Sequence, residues 1–446
     1  MQGLSRRRVL RLGGASLAAA TAGCLDQSKS DDSTPNAGNR DGNGNGNDNV
    51  TEDDPLIEPV DDPLRATYPD GVAQFRESLE NWGYRPQERI PDAVEQAWRL
   101  PEVNTGDHSA AKASATPTPD GGLVMPGDTG IVTALTADGE VLWEADTNTD
   151  GNGIHGTAVV TEDTVFIGAY DGVLYAFNLE TGDEVWAEKL GGSIGSSPVF
   201  DGERVFVAVE YPDPEGSMFA VDPDTGEVLW EDAESRPTDH PHSTPAIDPN
   251  AGRLVVGAND GVLYGWQYPE LELEWTFETD PDNDTDGEIK GPIATYDGGA
   301  YFGSWDRRIY RVDLEDGTED WSVETGGLSM TGPGIDPSLG VVFAGSHDGN
   351  LYALDAATGE EHWRFGTDSA LTGCPTVCAD RVVFGSKDRT LYAVEKQTGE
   401  AVWRVDHDGV VTSTPLVADG AIYYAERAPA PEDGETDGGA YKLVEA

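Results

Sequence analysis

From about Pro91 to the C-terminus, the apolar residues of this chain come in short runs of Val, Leu, Ile, Phe and Tyr. Examples are Arg204 to Ala208 (RVFVA) and Arg381 to Phe384 (RVVF), each bounded by Gly, Asp or other turn formers. Runs of that length and composition between turns predict β-strands. Asp171-Gly172, Asp260-Gly261 and Asp348-Gly349 lie between successive runs, and such a dipeptide supplies the positive-φ pair that a two-residue hairpin turn needs. A second turn is predicted at Thr225-Gly226-Glu227, Thr358-Gly359-Glu360 and Thr398-Gly399-Glu400, with glycine in the left-handed conformation.

The pattern is periodic. GSHDGNLYALDAATGEEHW (Gly345 to Trp363) returns as GSKDRTLYAVEKQTGEAVW (Gly385 to Trp403) and as GAYDGVLYAFNLETGDEVW (Gly168 to Trp186). With more drift the same frame ends at Trp143, Trp230, Trp275 and Trp321, so that the closing tryptophans fall 43, 44, 45, 46, 42 and 40 residues apart. Four strands in a unit of that size make one propeller blade. A lone blade cannot bury both faces, so its neighbours must, and each closing Trp is expected to wedge between blades. An eighth unit begins at Thr412 to Glu426 but ends in AYKLVEA without its Trp, while AVEQAWRL (Ala93 to Leu100) stands before the first complete unit. The prediction is an all-β, eight-bladed propeller whose last blade is completed by an N-terminal strand, a closure that hides two sheet edges.

The frame G-x-x-D-G-x-L-Y-A-L-D-x-x-T-G-E-x-x-W resembles the pyrroloquinoline-quinone-type repeat. Quinoprotein dehydrogenases and the bacterial outer-membrane-assembly lipoprotein share that repeat, and the resemblance runs from about Pro91 to the end. It degrades at Trp275, where the Thr-Gly-Glu turn is missing, and at Trp230, where Tyr211 to Gly216 are inserted.

Upstream of the ring the composition changes. Ser5-Arg6-Arg7-Arg8-Val9-Leu10 resembles a twin-arginine export signal, followed by an apolar stretch too short for a membrane anchor. Thr21-Ala22-Gly23-Cys24 resembles a lipobox, with Thr21 where leucine is more usual, which would make Cys24 the site of lipid attachment. The division expected is a signal peptide over 1–23, a disordered acidic tether over 24–62, a leader over 63–92 and the propeller over 93–446. In the leader, Val72, Phe75, Leu79 and Trp82 recur at helical spacing, which predicts a short amphipathic helix packed on the ring. Gln74-Phe75-Arg76 with Gly83-Tyr84 resembles the segment preceding the first blade in secreted members of the repeat family.

Charge then narrows the setting. The chain holds 83 acidic and 28 basic residues, a net charge of -55, with acids in every blade. Such self-repulsion strains a compact fold at low ionic strength and fades when molar salt shortens the screening length to about 3 Å. Together with the export signal this resembles an extreme halophile's surface protein, and it excludes nucleic acid as a partner. The expected place is the outer face of the cytoplasmic membrane, held there by a lipid anchor, as a monomer.

Candidate chemistry is sparse. The quinone enzymes of the repeat family carry a disulfide between adjacent cysteines over the cofactor, whereas Cys374 and Cys378 are four residues apart on a predicted strand. That spacing covers about 13 Å, beyond the reach of a disulfide. Asp282, Asp284 and Asp286, followed by Gly287, have the alternating-carboxylate pattern of a calcium loop, and Asp146, Asn148 and Asp150 repeat it with one Asn. Neither has a Glu at the twelfth position, so a full EF-hand is excluded, and Ca²⁺ is the one metal the sequence offers. His155 and His242 align at the start of the inner strand and are expected at the channel mouth, but in blades two apart, too far for one shared metal ion. The channel-entrance positions read as Ser114, His155, Gly195, His242, Ile289, Met330, Thr372 and Thr412, without a carboxylate. No Ser-His-Asp order, phosphate loop or H-E-x-x-H is present. The expectation is a non-catalytic binding or scaffold propeller, with no cofactor, that engages a protein or surface polymer. A quinoprotein dehydrogenase and a glycan-binding adhesin are the alternatives.

Overall fold

The computed structural model describes residues 57–101, 103, 113–147, 149, 153–232, 237–279, 287–427 and 438–446. Its strands form eight sheets, one per repeat, antiparallel except where Tyr84–Arg85 joins blade seven in parallel. Blades one to seven are each built in chain order from the inside outward, blade two for instance from Val159–Val160, Thr164–Gly168, Val173–Asn178 and Glu184–Lys189. Blade eight takes its inner strands from Leu416–Ala418, Ala421–Arg427 and Gly439–Glu445. Its outermost strand is Val94–Leu100 from the other end of the domain, antiparallel from Val94 opposite Glu445 to Leu100 opposite Ala440. Arg99 fastens this seam, donating from Nε to the Tyr441 hydroxyl at 2.9 Å and lying 3.6 Å from the Glu426 carboxylate.

The core lies between blades. One apolar cluster joins Val124 and Trp143 of blade one to Val165, Tyr175 and Phe177 of blade two, and another joins Leu123 and Leu135 of blade one to Tyr423 and Ala440 of blade eight. The closing tryptophans lock these interfaces through a neighbour's turn. Trp143 donates from Nε1 to the Leu179 carbonyl at 2.8 Å, and its ring lies over Gly182, where an added Cβ would come within 2.7 Å of Cδ2. Gly182 has φ 73°, so its turn needs glycine for conformation and for contact alike. Across the seam, Trp403 reaches the Pro91 carbonyl at 2.8 Å and Trp98 the Ala137 carbonyl at 3.0 Å, so the ring is continuous.

The Asp-Gly loops differ from expectation. Gly172 has φ 73°, but Asp171 does not share the positive region. Its carboxylate instead accepts from the Val173 amide at 3.0 Å and from the Tyr175 hydroxyl at 2.5 Å. The Asp is a side-chain staple for the turn, repeated at Asp260 with Tyr264 and Asp348 with Tyr352.

The leader is not a helix. Arg76, Glu77, Asn81 and Gly83 all have positive φ, which a right-handed helix does not allow. The segment crosses one end of the ring and meets inner strands in blade order: Ala73 bridges Val160, the Gln74 amide oxygen accepts from Phe200, and the Leu79, Glu80, Trp82 and Gly83 carbonyls accept from Ile247, Thr295, Ile335 and Val377. Tyr84–Arg85 then runs parallel to Thr376–Cys378, and Arg85 reaches the Val417 carbonyl. Val72, Leu79 and Trp82 pack into three different inter-blade clusters. Their spacing matches the step between blades, which happens to imitate a helical period. Packing also starts earlier than the boundary at Asp62 implied, because Ile57 is buried against blades six and seven and the Val60 amide donates to Ser338.

Candidate functional site: the open mouth of the channel

The leader seals the channel at the end where the inner strands finish. Arg76 is the centre of the seal. Its guanidinium donates to the carbonyls of Asn81 at 2.8 Å, Trp82 at 2.9 Å, Pro333 at 2.8 Å and Pro375 at 3.2 Å. Phe75 forms the floor of an axial cavity of about 30 Å³, room for roughly one water molecule, whose walls include His155, His242, Lys290, Thr372 and Cys374.

His155 and His242 come together, contrary to the expectation that two blades' separation would hold them apart. Their ring centroids are 5.8 Å apart, edge to face. The reason is Gly195 in the intervening blade, where a Cβ would lie 2.7 Å from His242. Without that side chain, His242 leans across blade three toward Glu210. His240 turns away to the Tyr211 carbonyl, 3.1 Å from Nε2.

Glu210 is the functional residue that sequence reasoning missed. The insertion after it lengthens the hairpin, pairing Glu210 with Gly216 and setting it at the mouth. Burial works to raise its pKa, but hydrogen bonds from His242 and Ser193 and the charge of His242 outweigh it and leave the carboxyl below its ordinary value. An ionised carboxylate only accepts, so His242 Nδ1–H donates to Oε1 at 2.7 Å and the Ser193 hydroxyl to Oε2 at 2.8 Å. Burial, then the nearby Glu210 charge, pushes the Tyr170 phenol well above its usual range. Tyr170 packs on His155 with centroids 4.1 Å apart.

Glu210 belongs to a ring of equivalent positions, the variable residue that ends or follows the second strand of each blade by the repeat frame and precedes Asp-Gly at Tyr170, Asn259 and His347. Blades one to four present Asp128, Tyr170, Glu210 and Asn259, whereas blades five to eight present Trp305, His347, Lys387 and Arg427. One side of the mouth is acidic and phenolic, the other basic and aromatic. Lys290 lies 3.8 Å over the Trp305 ring, and Arg427 Nε is 3.7 Å from the Asp128 carboxylate. The varying letter in GAYDG, GSHDG and GSKDR was the available signal. Two entrance positions also shift: Ile289 is fully buried, with Lys290 beside the channel in its place, and Ser114 sits one level deeper, its amide bonded to Thr157.

Cys374 and Cys378 are buried and not bonded to each other. Burial pushes the Cys378 thiol up to about 12, and Cys374 Sγ accepts from the Gly332 amide at 3.1 Å. Asp146 ends the outer strand of blade one, exposed. Asn148, Asp150, Asp282, Asp284, Asp286 and Cys24 lie outside the described residues. Among the described residues no three of His, Cys, Asp or Glu converge as a metal site.

Fold and site together define a quinone-type-repeat propeller of eight blades with one sealed and one open channel end. The family described as outer membrane protein assembly factor BamB matches residues 128–267, 214–363 and 347–437, and the chain belongs to that family. It is 26% identical over 214 residues to the outer membrane protein assembly factor BamB of Shewanella oneidensis, covering 45% of this chain and 50% of the relative. It is 29% identical over 208 residues to that of Escherichia coli, covering 45% and 49%. The chain thus spans about half the length of these relatives. Among solved structures, quinohemoprotein alcohol dehydrogenase from Comamonas testosteroni superposes with TM-score 0.70 at 15% identity, over 83% of this chain and 80% of that one. BamB from Moraxella catarrhalis superposes with TM-score 0.60 at 19% identity, over 79% and 100%. At those identities the structural likenesses speak for the fold alone.

Proposed function

We propose that this protein is an exported, lipid-anchored scaffold at the outer face of the cytoplasmic membrane, which binds a protein partner through the ring and turns over nothing. The observation that carries this reading is the sealed channel. A quinone enzyme needs its cofactor held flat near the axis with a metal and a general base beside the substrate. Here Phe75 closes the axis from below, beneath a cavity of about 30 Å³, and no adjacent cysteines exist to cover a quinone. Glu210, the carboxylate that meets the channel histidine His242, is engaged by it and by Ser193. Family membership supports the scaffold role, because the matched family is named for assembly.

The test is capture from native membranes in molar salt with the purified ring, paired with reconstitution by pyrroloquinoline quinone and Ca²⁺ and dye-linked oxidation of alcohols and sugars. Stoichiometric capture of a membrane protein without turnover is expected. Quinone-dependent turnover overturns the proposal. Cys24→Ser should release the protein into the medium, and its retention on membranes would refute the lipid anchor.

A further inference from the structure

On the sealed face, where the inner strands finish, the turns of blades one and two enclose a groove of about 490 Å³. That is within the size of pockets that hold ligands, about 300–1,000 Å³. Its floor is apolar, with Leu123 and Leu135 of blade one buried there and Leu179 of blade two beside them. Leu142 forms a wall and is 57% exposed, the most exposed of the large apolar side chains among the described residues. It is the extra residue of a bulge, standing between Val141 opposite Leu135 and Trp143 opposite Ala134, and a bulge re-aims the side chain it carries. The same bulge in blades four, five and six carries Glu274, Asp320 and His362, so the fold does not require a leucine at this place.

The rim of the groove is acidic. Asp120 stands on the blade-one side and Glu162, Asp163 and Glu180 on the blade-two side, and among the described residues none that lines the groove is basic. Threonine hydroxyls hold two of these carboxylates in place, Thr118 donating to Asp120 and Thr164 to Asp163 at 2.9 Å. The leader runs past the same rim, where a Cβ added at Gly71 would lie 3.5 Å from Glu162 Cγ. In a chain with 83 acidic residues an acidic rim alone says little. The apolar hollow inside it is the informative feature, because leucine left in water is unfavourable and exposed apolar surface rimmed by polar groups marks a place of interaction.

We propose that this groove is a second docking surface of the ring, and that its occupant is an extended segment of a protein partner in which apolar side chains are flanked by lysine or arginine. The proposal rests on the reading of the ring as a scaffold for proteins and names the chemistry of what it holds. The apolar residues of the segment enter between Leu142 and Leu179, and its bases meet Asp120 on one side and Glu162, Asp163 and Glu180 on the other. Charge-assisted hydrogen bonds of that kind act by direct contact, which molar salt leaves in place while it screens attraction beyond about 3 Å. A bilayer fits less well, since its apolar interior would have to strip water from these carboxylates before it met Leu142. The groove lies on the face opposite the mouth, so a segment held there leaves the histidine cluster free.

The experiment is fluorescence anisotropy with the full-length protein in molar KCl and a short labelled peptide in which a Leu-Leu pair lies between lysines. One control peptide has serines for the leucines, and another has glutamates for the lysines. Saturable binding of the first peptide is expected, weakened about tenfold or more in either control and in the variants Leu142→Ser and Glu180→Lys. Both side chains are exposed, so the variants should keep the parent's thermal midpoint. Leu229→Ser, at the same bulge of blade three, should bind as the parent does. No saturable binding below about 1 mM overturns the proposal, as does parent-like binding by Leu142→Ser or an equal loss in Leu229→Ser. Sedimentation of the parent, but not of Leu142→Ser, with neutral phosphatidylcholine vesicles overturns it in favour of a bilayer. The readout uses a defined peptide, whereas capture from membranes reports an unknown partner, so the groove and the scaffold reading can fail separately.

Discussion

Replacing Arg76 by Met should unseat the leader. Arg76 is 7% exposed and carries four hydrogen bonds of 2.8 to 3.2 Å, two within the leader and two to the Pro333 and Pro375 carbonyls of blades six and seven. Met preserves the apolar stem but leaves those carbonyls without their donor. Hydrogen bonds from a charged group contribute about 1.5–3 kcal/mol each and do not add fully. Removing one member of a buried charged network typically costs about 3–5 kcal/mol, and we expect a loss in that range. For a domain larger than 250 residues this lowers the midpoint of thermal unfolding by about 6 °C. Burial itself lowers the Arg76 pKa, yet the guanidinium stays charged at any working pH, so the effect should not vary with pH. The assay is thermal unfolding in molar KCl together with limited proteolysis of the leader. A variant within about 1 °C of the parent, with a leader no more protease-sensitive, would refute the reasoning.

Three further outcomes are expected. Deleting the chain through Leu100 should open the ring and cause aggregation, because Gly439–Glu445 loses its outer partner, while deletion through Asp54 should leave the thermal midpoint unchanged; equal stability of the two truncations would sink the closure. Gly182→Ala should destabilise by about 2 kcal/mol, since the methyl meets Trp143 at 2.7 Å and φ is 73°, and a neutral effect in chemical denaturation would contradict the turn-and-Trp latch. Burial, opposed by hydrogen bonds from Thr67, raises Glu80 in the leader to about 7. A raised carboxyl contributes stability fully present below its unfolded value near 4.5 and lost as pH rises through 7, about 3 kcal/mol in all, so Glu80→Gln should flatten the pH dependence of unfolding between those limits, and a variant with the parent's profile would reject the assignment.

Much of the architecture was legible because blades repeat. Seven tryptophans at near-constant intervals, and an unmatched start at one terminus with an unmatched Trp98 at the other, were enough for eight blades and their closure. Local chemistry was less transparent. The Asp of Asp-Gly was read as a backbone conformer, whereas Asp171 acts through its side chain on Tyr175. The leader was read as a helix because four apolar residues recur at helical spacing, and that spacing carries no record of which surface they face.

What the sequence determines by itself is whatever the repeat states many times over: strand lengths, turn glycines, the interlocking tryptophans and the number of blades. Only the tertiary structure decides what a residue meets across the axis, because that depends on eight inner strands converging to a distance no linear spacing contains. Gly195 makes the point, since its missing side chain lets His242 reach Glu210 and come within 5.8 Å of His155. The plug follows the same logic: Phe75 and Arg76 seal the channel through carbonyls more than 250 residues away along the chain, brought near by ring closure alone.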